Sequence, residues 1–349
     1  MAAILEQADV ATDVRPEISG RNPWLLAGRR LWHNRIAMAA LVLFLLIVVV
    51  CLLAPLYASQ LAHTNPFVNN LNGTTIVNGQ RVPLMAQGGG LLKLGETPIG
   101  PTWDVHHYFL GADALGRDVM ARLLYGGRSS LIIGIGSAVI CCLFATVTAL
   151  IAGFFGGVTD SLLSRLMDVI WAFPVLLFAI TVSTELLTLP HGLPIGPVHI
   201  VASSLWMPTL IIAVIYVPYV YRPVRGHVLT VVNKEYAEAA VALGASNLRL
   251  MLSEILPNVV SVVIVLLPLM IATTIITEAA LSFLSIGVQP PNASWGTIIS
   301  DAQQLLYTRP MVAIAPGIMI VLTVLALNVL GDGIRDALDP RAKLRVEGQ

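Results

Sequence analysis

Groups able to do covalent or phosphoryl chemistry are few in this chain, and their spacing assigns them none. There are three lysines, Lys93, Lys234 and Lys343, preceded by Leu92, Asn233 and Ala342. A phosphate loop G-x-x-x-x-G-K-[ST] needs glycine before its lysine, so that backbone N–H groups can close on the phosphates. None of the three qualifies, and no GxSxG, HExxH or HxxEH spacing occurs. His106 and His107 are adjacent, but no carboxylate or thiol joins them at metal-ligand spacing. An enzyme lobe would have only these histidines and the scattered Glu96, Asp104 and Asp113 as acids and bases, and solvated surface side chains account for them more simply. Cys51, Cys141 and Cys142 lie inside apolar runs without a CxxC spacing, so they read as packing residues. The reading is no catalytic residue, no metal site and no cofactor on this chain.

The elements around these groups are those of a membrane. Of 349 residues 56% are hydrophobic and 11% charged, against about 25% charged in a soluble domain. The formal net charge is zero, which gives no hint of a nucleic-acid partner. The pattern predicts an all-α membrane protein of six transmembrane helices, with a small extracytoplasmic insert after the first. The expected boundaries are a cytoplasmic segment 1–35, a first span 36–57 and an insert 58–127. A five-helix core 128–331 then carries a cytoplasmic loop 222–257, and a cytoplasmic tail 332–349 follows. The first span, about 20 apolar residues from Ile36, is longer than a secretory signal core. The insert holds a hairpin signal, Asn78-Gly79 between Thr74–Val77 and Gln80–Pro83, a GGG loop at 88–90, and an amphipathic helix Asp113–Tyr125 in the interface. Further spans are expected at Ser129–Thr159, Leu166–Leu187, Ile200–Tyr221, Val259–Thr277 and Met311–Leu330. Asp160, Arg165 and Asp168 mark one turn between them, and Gly192, Pro194, Gly196 and Pro197 the next. Residues 278–310 form a second external stretch. With the N-terminus inside, 14 of the 20 Lys and Arg fall on the inner side, as the positive-inside rule requires.

Polar groups inside the spans are sparse. Asp168 and Glu185 bracket one span and Glu278 sits at a membrane edge. An ion-coupled carrier generally needs buried ionisable relays, so their scarcity points to energy from a partner. Pro174, Pro208, Pro218 and Pro268 remove backbone donors within spans, which bends helices or creates hinges. They, and the polar Asp168, Thr273, Thr274, Glu278 and Ser282, fit either a tightly packed core or the lining of a translocation pathway. Gly134, Gly136, Gly153 and Gly156 permit close helix approach.

The longest polar interruption in the second half is Glu235–Pro257, EYAEAAVALGASNLRLMLSEILP. Its alanines favour helix, Gly244 breaks the run, Ser246 or Asn247 can cap a second helix, and Pro257 closes it. In Glu238, Ala239, Ala240, Gly244, Ala245 and Ile255–Pro257 it resembles the loop of ATP-binding-cassette importer permeases on which a separate ATPase docks. LGADALGRDVMARLLYGGRSSL (110–131), DSLLSRLMDVIWAFPVLLFAI (160–180), EAALSFLSIGVQPPNASWGTIISDA (278–302) and GDGIRDALDP (331–340) are similar to stretches of the C-type dipeptide and oligopeptide permeases of that class. Ala112 departs from that pattern, where threonine is commoner. The resemblance spans about 110–340. It implies a sister permease, two ATPase subunits that bind ATP and magnesium, and an extracytoplasmic peptide-binding protein. It also implies alternating access, with Glu235 and Glu238 in the docking loop and Gly244 allowing its bend. Nickel and glutathione permeases are close relatives, so these substrates remain open. An ion-coupled carrier, and a membrane enzyme or scaffold built on 58–127, are the other classes.

Overall fold

The computed structural model describes residues 23–77, 79–87, 96–188, 193–195, 198–200 and 204–338. The N-terminal arginines 15 and 21, the GGG loop, the turn residues Gly192, Gly196 and Pro197, and the tail beyond 338 lie outside the described residues. The helices are α1 (Pro23–His33), α2 (Arg35–Leu52), the single turn α3 (Ala54–Leu56), α4 (Val119–Phe155), α5 (Gly157–Trp171) and α6 (Val175–Thr188). They continue with α7 (Trp206–Val232), α8 (Glu235–Ala242), the single turn α9 (Asn247–Arg249), α10 (Leu256–Phe283), α11 (Trp295–Asp301) and α12 (Met311–Leu338). A π segment, Leu250–Ile255, joins α9 to α10, so helix runs unbroken from Asn247 to Phe283. Among the described residues five helices are long and apolar enough to cross a bilayer, and a sixth crossing exists if α5 and α6, bent by 86°, are one span. This is an all-α membrane protein.

The core is built on α4. Ser130, Gly134, Ala138, Cys142 and Thr146 recur every fourth residue and are all buried, giving a stripe of small side chains on which α7 and α10 pack closely. A Cβ on Gly134 would come within 2.3 Å of Ile275 Cγ1, and one on Gly153 within 2.6 Å of Val228 Cγ1. Hydrogen bonds bridge the same seams. Ser137 Oγ donates to the Thr209 carbonyl (2.9 Å), and Thr274 Oγ1 to the Gly134 carbonyl (2.7 Å). The three cysteines are free and buried.

Several boundaries differ from the expectation. No interfacial helix covers Asp113–Tyr125. Residues 113–118 are a loop, and α4 starts at Val119 and rises about 55 Å without a break, because Asp118 caps it through Met120 N (2.9 Å) and Ala121 N (3.2 Å). Asp160, Arg165 and Asp168 lie within α5 instead of marking a turn; the turn is Gly156–Gly157, with φ of +60° and +53°. The third span is interrupted between Trp171 and Val175, where the exposed Pro174 supplies the carbonyl that starts α6 (Phe178 N, 2.9 Å). The fourth span starts later than Ile200, which ends a short strand, and α7 carries Pro223 besides Pro218 while Pro208 sits in its first turn. Pro257 does not close the loop: it lies two residues past the π segment, inside the run of helix that continues to Phe283. α12 has a buried Pro316 and runs to Leu338.

Between α2 and α4 lies a small lobe. Thr74–Val77 (β1) pairs antiparallel with Gln80–Pro83 (β2), and Met85–Gln87 (β3) with Glu96–Pro98 (β4); a third pair, Leu193–Ile195 (β5) and Val198–Ile200 (β6), lies between α6 and α7. The lobe's own core is Leu84, Tyr108 and Ala112, with Ile99 against them, too little to stand alone. It is fastened to the helical body by Thr64 Oγ1 donating to Asp118, the cap of α4 (3.1 Å), and by Arg309 Nε, just before α12, donating to the Pro98 carbonyl (2.6 Å).

Candidate functional site

Two regions, at opposite ends of the Asn247–Phe283 helix, concentrate the features that packing alone does not require. At the first, α7 ends at Val232 and the Lys234 carbonyl accepts Ala237 N (2.9 Å) and Glu238 N (3.2 Å) to start α8. α8 ends in a Schellman turn. Gly244 N donates to the Val241 carbonyl (2.9 Å) and Ala245 N to the Ala240 carbonyl (3.0 Å), with Gly244 at φ +83°, a conformation in which a Cβ is strained. Ser246 then caps the next helix through Arg249 N (3.4 Å). Ala237, Leu250, Met251 and Ile255 are buried and hold this hairpin of helices together.

Its outer face is apolar where water would favour polar groups. Leu243 is 89% exposed, with Val241 and Leu248 also exposed beside it. Glu235, Glu238, Ala239, Gly244 and Pro257 are exposed, and Ala240 and Ala245 half-buried. Exposed leucines on a segment held by its own buried face form a candidate interaction surface. The sequence reading named the glutamates and glycine but not Leu243, whose exposure follows from the Schellman geometry.

The loop is anchored from the side. Asp160 of α5 accepts a two-pronged pair from Arg225 Nε and Nη2, Ser164 and Tyr221 hydroxyls share a hydrogen bond of 3.1 Å, and Asp168 accepts from Arg222 Nη2 (3.0 Å). Positions 160, 164 and 168 lie one helical turn apart and so form one face. They grip the end of α7 that leads into α8. Asp168, considered for the pathway, is half-exposed and ion-paired.

At the other end of the long helix, Glu278 is fully buried. Its carboxylate accepts from Ser130 Oγ of α4 (2.7 Å) and Ser282 Oγ (2.6 Å), and also from Ser294. The same hydroxyls take backbone donors: Trp295 N to Ser130 Oγ (3.1 Å) and Val288 N to Ser282 Oγ (3.0 Å). One carboxylate therefore ties α4, α10, the 285–294 segment and α11 together. Gly296 lets α11 lie against α10, since a Cβ there would be 2.3 Å from the Ala279 carbonyl oxygen. Of the other polar positions, Thr274 is buried and bonded to α4, Thr273 bonds its own helix at Leu269 (2.8 Å), and Pro218 is buried in α7. Within the described residues, no group of three or more His, Cys, Asp and Glu is placed to hold a metal.

The model of the inner membrane component of binding-protein-dependent transport systems matches residues 145–344, and that of the N-terminal transmembrane domain of oligopeptide transport permease C matches 22–72. The chain belongs to the binding-protein-dependent transport permease family. This permease is 34% identical to the dipeptide transport system permease protein DppC of Alkalihalophilus pseudofirmus, over 92% of its own length and 91% of that protein's. It is 34% identical to the oligopeptide transport system permease protein OppC of Bacillus subtilis (92% and 90% covered). It is 38% identical to the glutathione transport system permease protein GsiD of Pectobacterium atrosepticum (72% and 76%). In the permease the 278–302 stretch is thus a folding unit closed by Glu278. The 110–131 stretch is a loop and a helix start joined by ion pairs: Arg117 Nε to Asp113 (2.7 Å), Arg117 Nη2 to Asp301 (3.0 Å) and Arg122 Nη2 to Asp301 (2.9 Å).

Proposed function

We propose that this permease is the translocation subunit of an ATP-driven importer of di- or oligopeptides, working with a sister permease, two ATPase subunits and an extracytoplasmic peptide-binding protein. The observation that carries the reading is the exposed apolar knob of Val241 and Leu243 at the glycine-terminated end of α8, with Leu248 exposed in the first turn of the helix that follows. Glu235 and Glu238 flank the knob with negative charge, and a groove on an ATPase subunit would receive it. ATP and magnesium belong to that subunit, and this chain carries neither cofactor, metal nor nucleic acid. N- and C-termini are cytoplasmic, and the lobe of 58–127 is extracytoplasmic.

In this mechanism, closure of the ATPases displaces α8. The buried contacts of Ala237 with the Leu250–Ile255 segment pass the motion to α10, and the Asp160–Arg225 and Asp168–Arg222 pairs pass it to α5 through α7. The bend between α5 and α6 at Pro174 gives the flexion point, and rigid spans carry the movement outward. Peptide is favoured as substrate by the relatives named for dipeptide and oligopeptide transport, although a glutathione permease of Escherichia coli is equally similar, 34% identical over 93% of this chain. Glutathione is the second reading, favoured by the 38% relative. Uptake of labelled tripeptide and of labelled glutathione into cells with and without this chain decides between them. Loss of tripeptide uptake alone on deletion supports the first reading, and loss of glutathione uptake alone overturns it.

A further inference from the structure

On the face opposite α8, a cavity of about 650 Å³ opens between the 285–292 segment, α11 and the loop before α4. Such a volume suits a small organic ligand. Its charged lining consists of Arg117, Arg122 and Asp301, and Gln289, Thr297 and Ser300 add polar groups. Arg122 is 3% exposed, yet its Nη1 has no hydrogen-bond partner among the described residues. It is ion-paired at 3.5 Å with Asp113 Oδ2, without hydrogen-bond geometry. A buried guanidinium donor left unfilled is costly and unusual. Asp301 Oδ2 serves both arginines at once (3.0 and 2.9 Å) and is itself 42% exposed at the end of α11. The buried Arg122 and the half-buried Arg117 thus share two carboxylates, the buried Asp113 and the cavity-facing Asp301, and Arg122 Nη1 is a donor to spare.

We propose that this cavity binds the carboxylate of a small ligand, with Arg122 and Arg117 as its anion-binding groups and Asp301 as the internal carboxylate that occupies them until the ligand arrives. The planar guanidinium offers paired donors that match a carboxylate. Arriving carboxylate takes the open Nη1 of Arg122 and displaces Asp301, which frees the end of α11 from the start of α4. In an importer this is the face on which substrate is delivered, so the ligand carboxylate is the C-terminus of a peptide; that identification rests on the proposed function.

The test uses the purified complex containing this chain, without its binding protein, in lipid nanodiscs. Tri-alanine, tri-alanine amide and acetate are titrated by calorimetry. Tri-alanine binding at least 10-fold tighter than its amide is expected. Asp301→Asn, which removes the competing charge at a half-exposed position, tightens tri-alanine and acetate at least 3-fold, and Arg117→Gln weakens both. Equal binding of acid and amide, or an unchanged or weaker affinity in a folded Asp301→Asn complex, overturns the proposal. If acetate binds with the Asp301 dependence but no peptide is taken up by cells, the site stands and the peptide reading falls. If peptides are taken up while acid and amide bind alike, the site falls alone.

Discussion

Replacing Glu278 by glutamine separates a latch from a pathway residue. The carboxylate accepts three serine hydroxyls, of which Ser130 and Ser282 already accept backbone N–H groups. Each of those protons therefore points at Glu278. Glutamine keeps one acceptor oxygen and turns two N–H donors toward hydroxyl protons, so one or two of the bonds are lost. Leaving a buried hydroxyl without its partner costs about 1–3 kcal/mol, which gives a cost of about 2–4 kcal/mol for Glu278→Gln. Glu278→Ala, which strands three buried hydroxyls, costs about 4 kcal/mol or more. At about 2 °C per kcal/mol for a large domain, Glu278→Gln lowers the unfolding midpoint by about 4–8 °C. Tryptophan fluorescence of the purified complex reads this directly, because Trp295 is buried in the network with its indole N–H on the Leu123 carbonyl (3.1 Å). An unchanged midpoint together with abolished uptake refutes the latch and returns Glu278 to the pathway.

Gly244→Leu tests the loop: none of the described residues lies within 4 Å of a Cβ there. The left-handed backbone costs about 1 kcal/mol, so the midpoint moves by about 2 °C while ATP-dependent uptake falls at least 10-fold; retained uptake counts against docking. Gly134→Leu drives a side chain into Ile275 and costs about 1–3 kcal/mol or more, read as lost expression or a lower midpoint. Gly226→Ala, in the interior of α7 with open space around it, raises stability by about 0.4–1 kcal/mol. Asp118→Ala removes the α4 cap and costs about 0.5–2 kcal/mol, whereas Asp118→Asn preserves it. Burial raises the Asp118 pKa above the usual carboxylate range, so its contribution is fully present at low pH and is lost as pH rises through the raised value. Thermal midpoints from the ordinary carboxylate range to neutral pH should therefore shift progressively in favour of the asparagine variant.

The membrane class and most of the helices were legible because apolar runs of bilayer length need no tertiary information. Helix ends were less so. Val119 begins a 37-residue helix that the charged Arg117, Asp118 and Arg122 made look like two separate pieces. Arg117 and Arg122 pair with Asp301, 184 and 179 residues away, and Asp118 accepts from Thr64, 54 residues away. A pairing over that separation leaves no local signal. Glu278 likewise read as a membrane-edge charge, because its serine partners are scattered over positions 130, 282 and 294. The α8 loop was legible for the opposite reason: its cap, its glycine and its helix propensity are local. Only the outward display of Leu243 required the structure.

The direct test of the docking claim places a photo-crosslinking amino acid at position 243 in the full chain and irradiates native membranes. Leu243 is 89% exposed, so the probe leaves the fold undisturbed. Capture of a nucleotide-binding subunit, suppressed when that subunit is deleted, is the predicted result. A transport-active variant that captures only lipid, or nothing, would contradict the account of α8 as the seat of an ATPase.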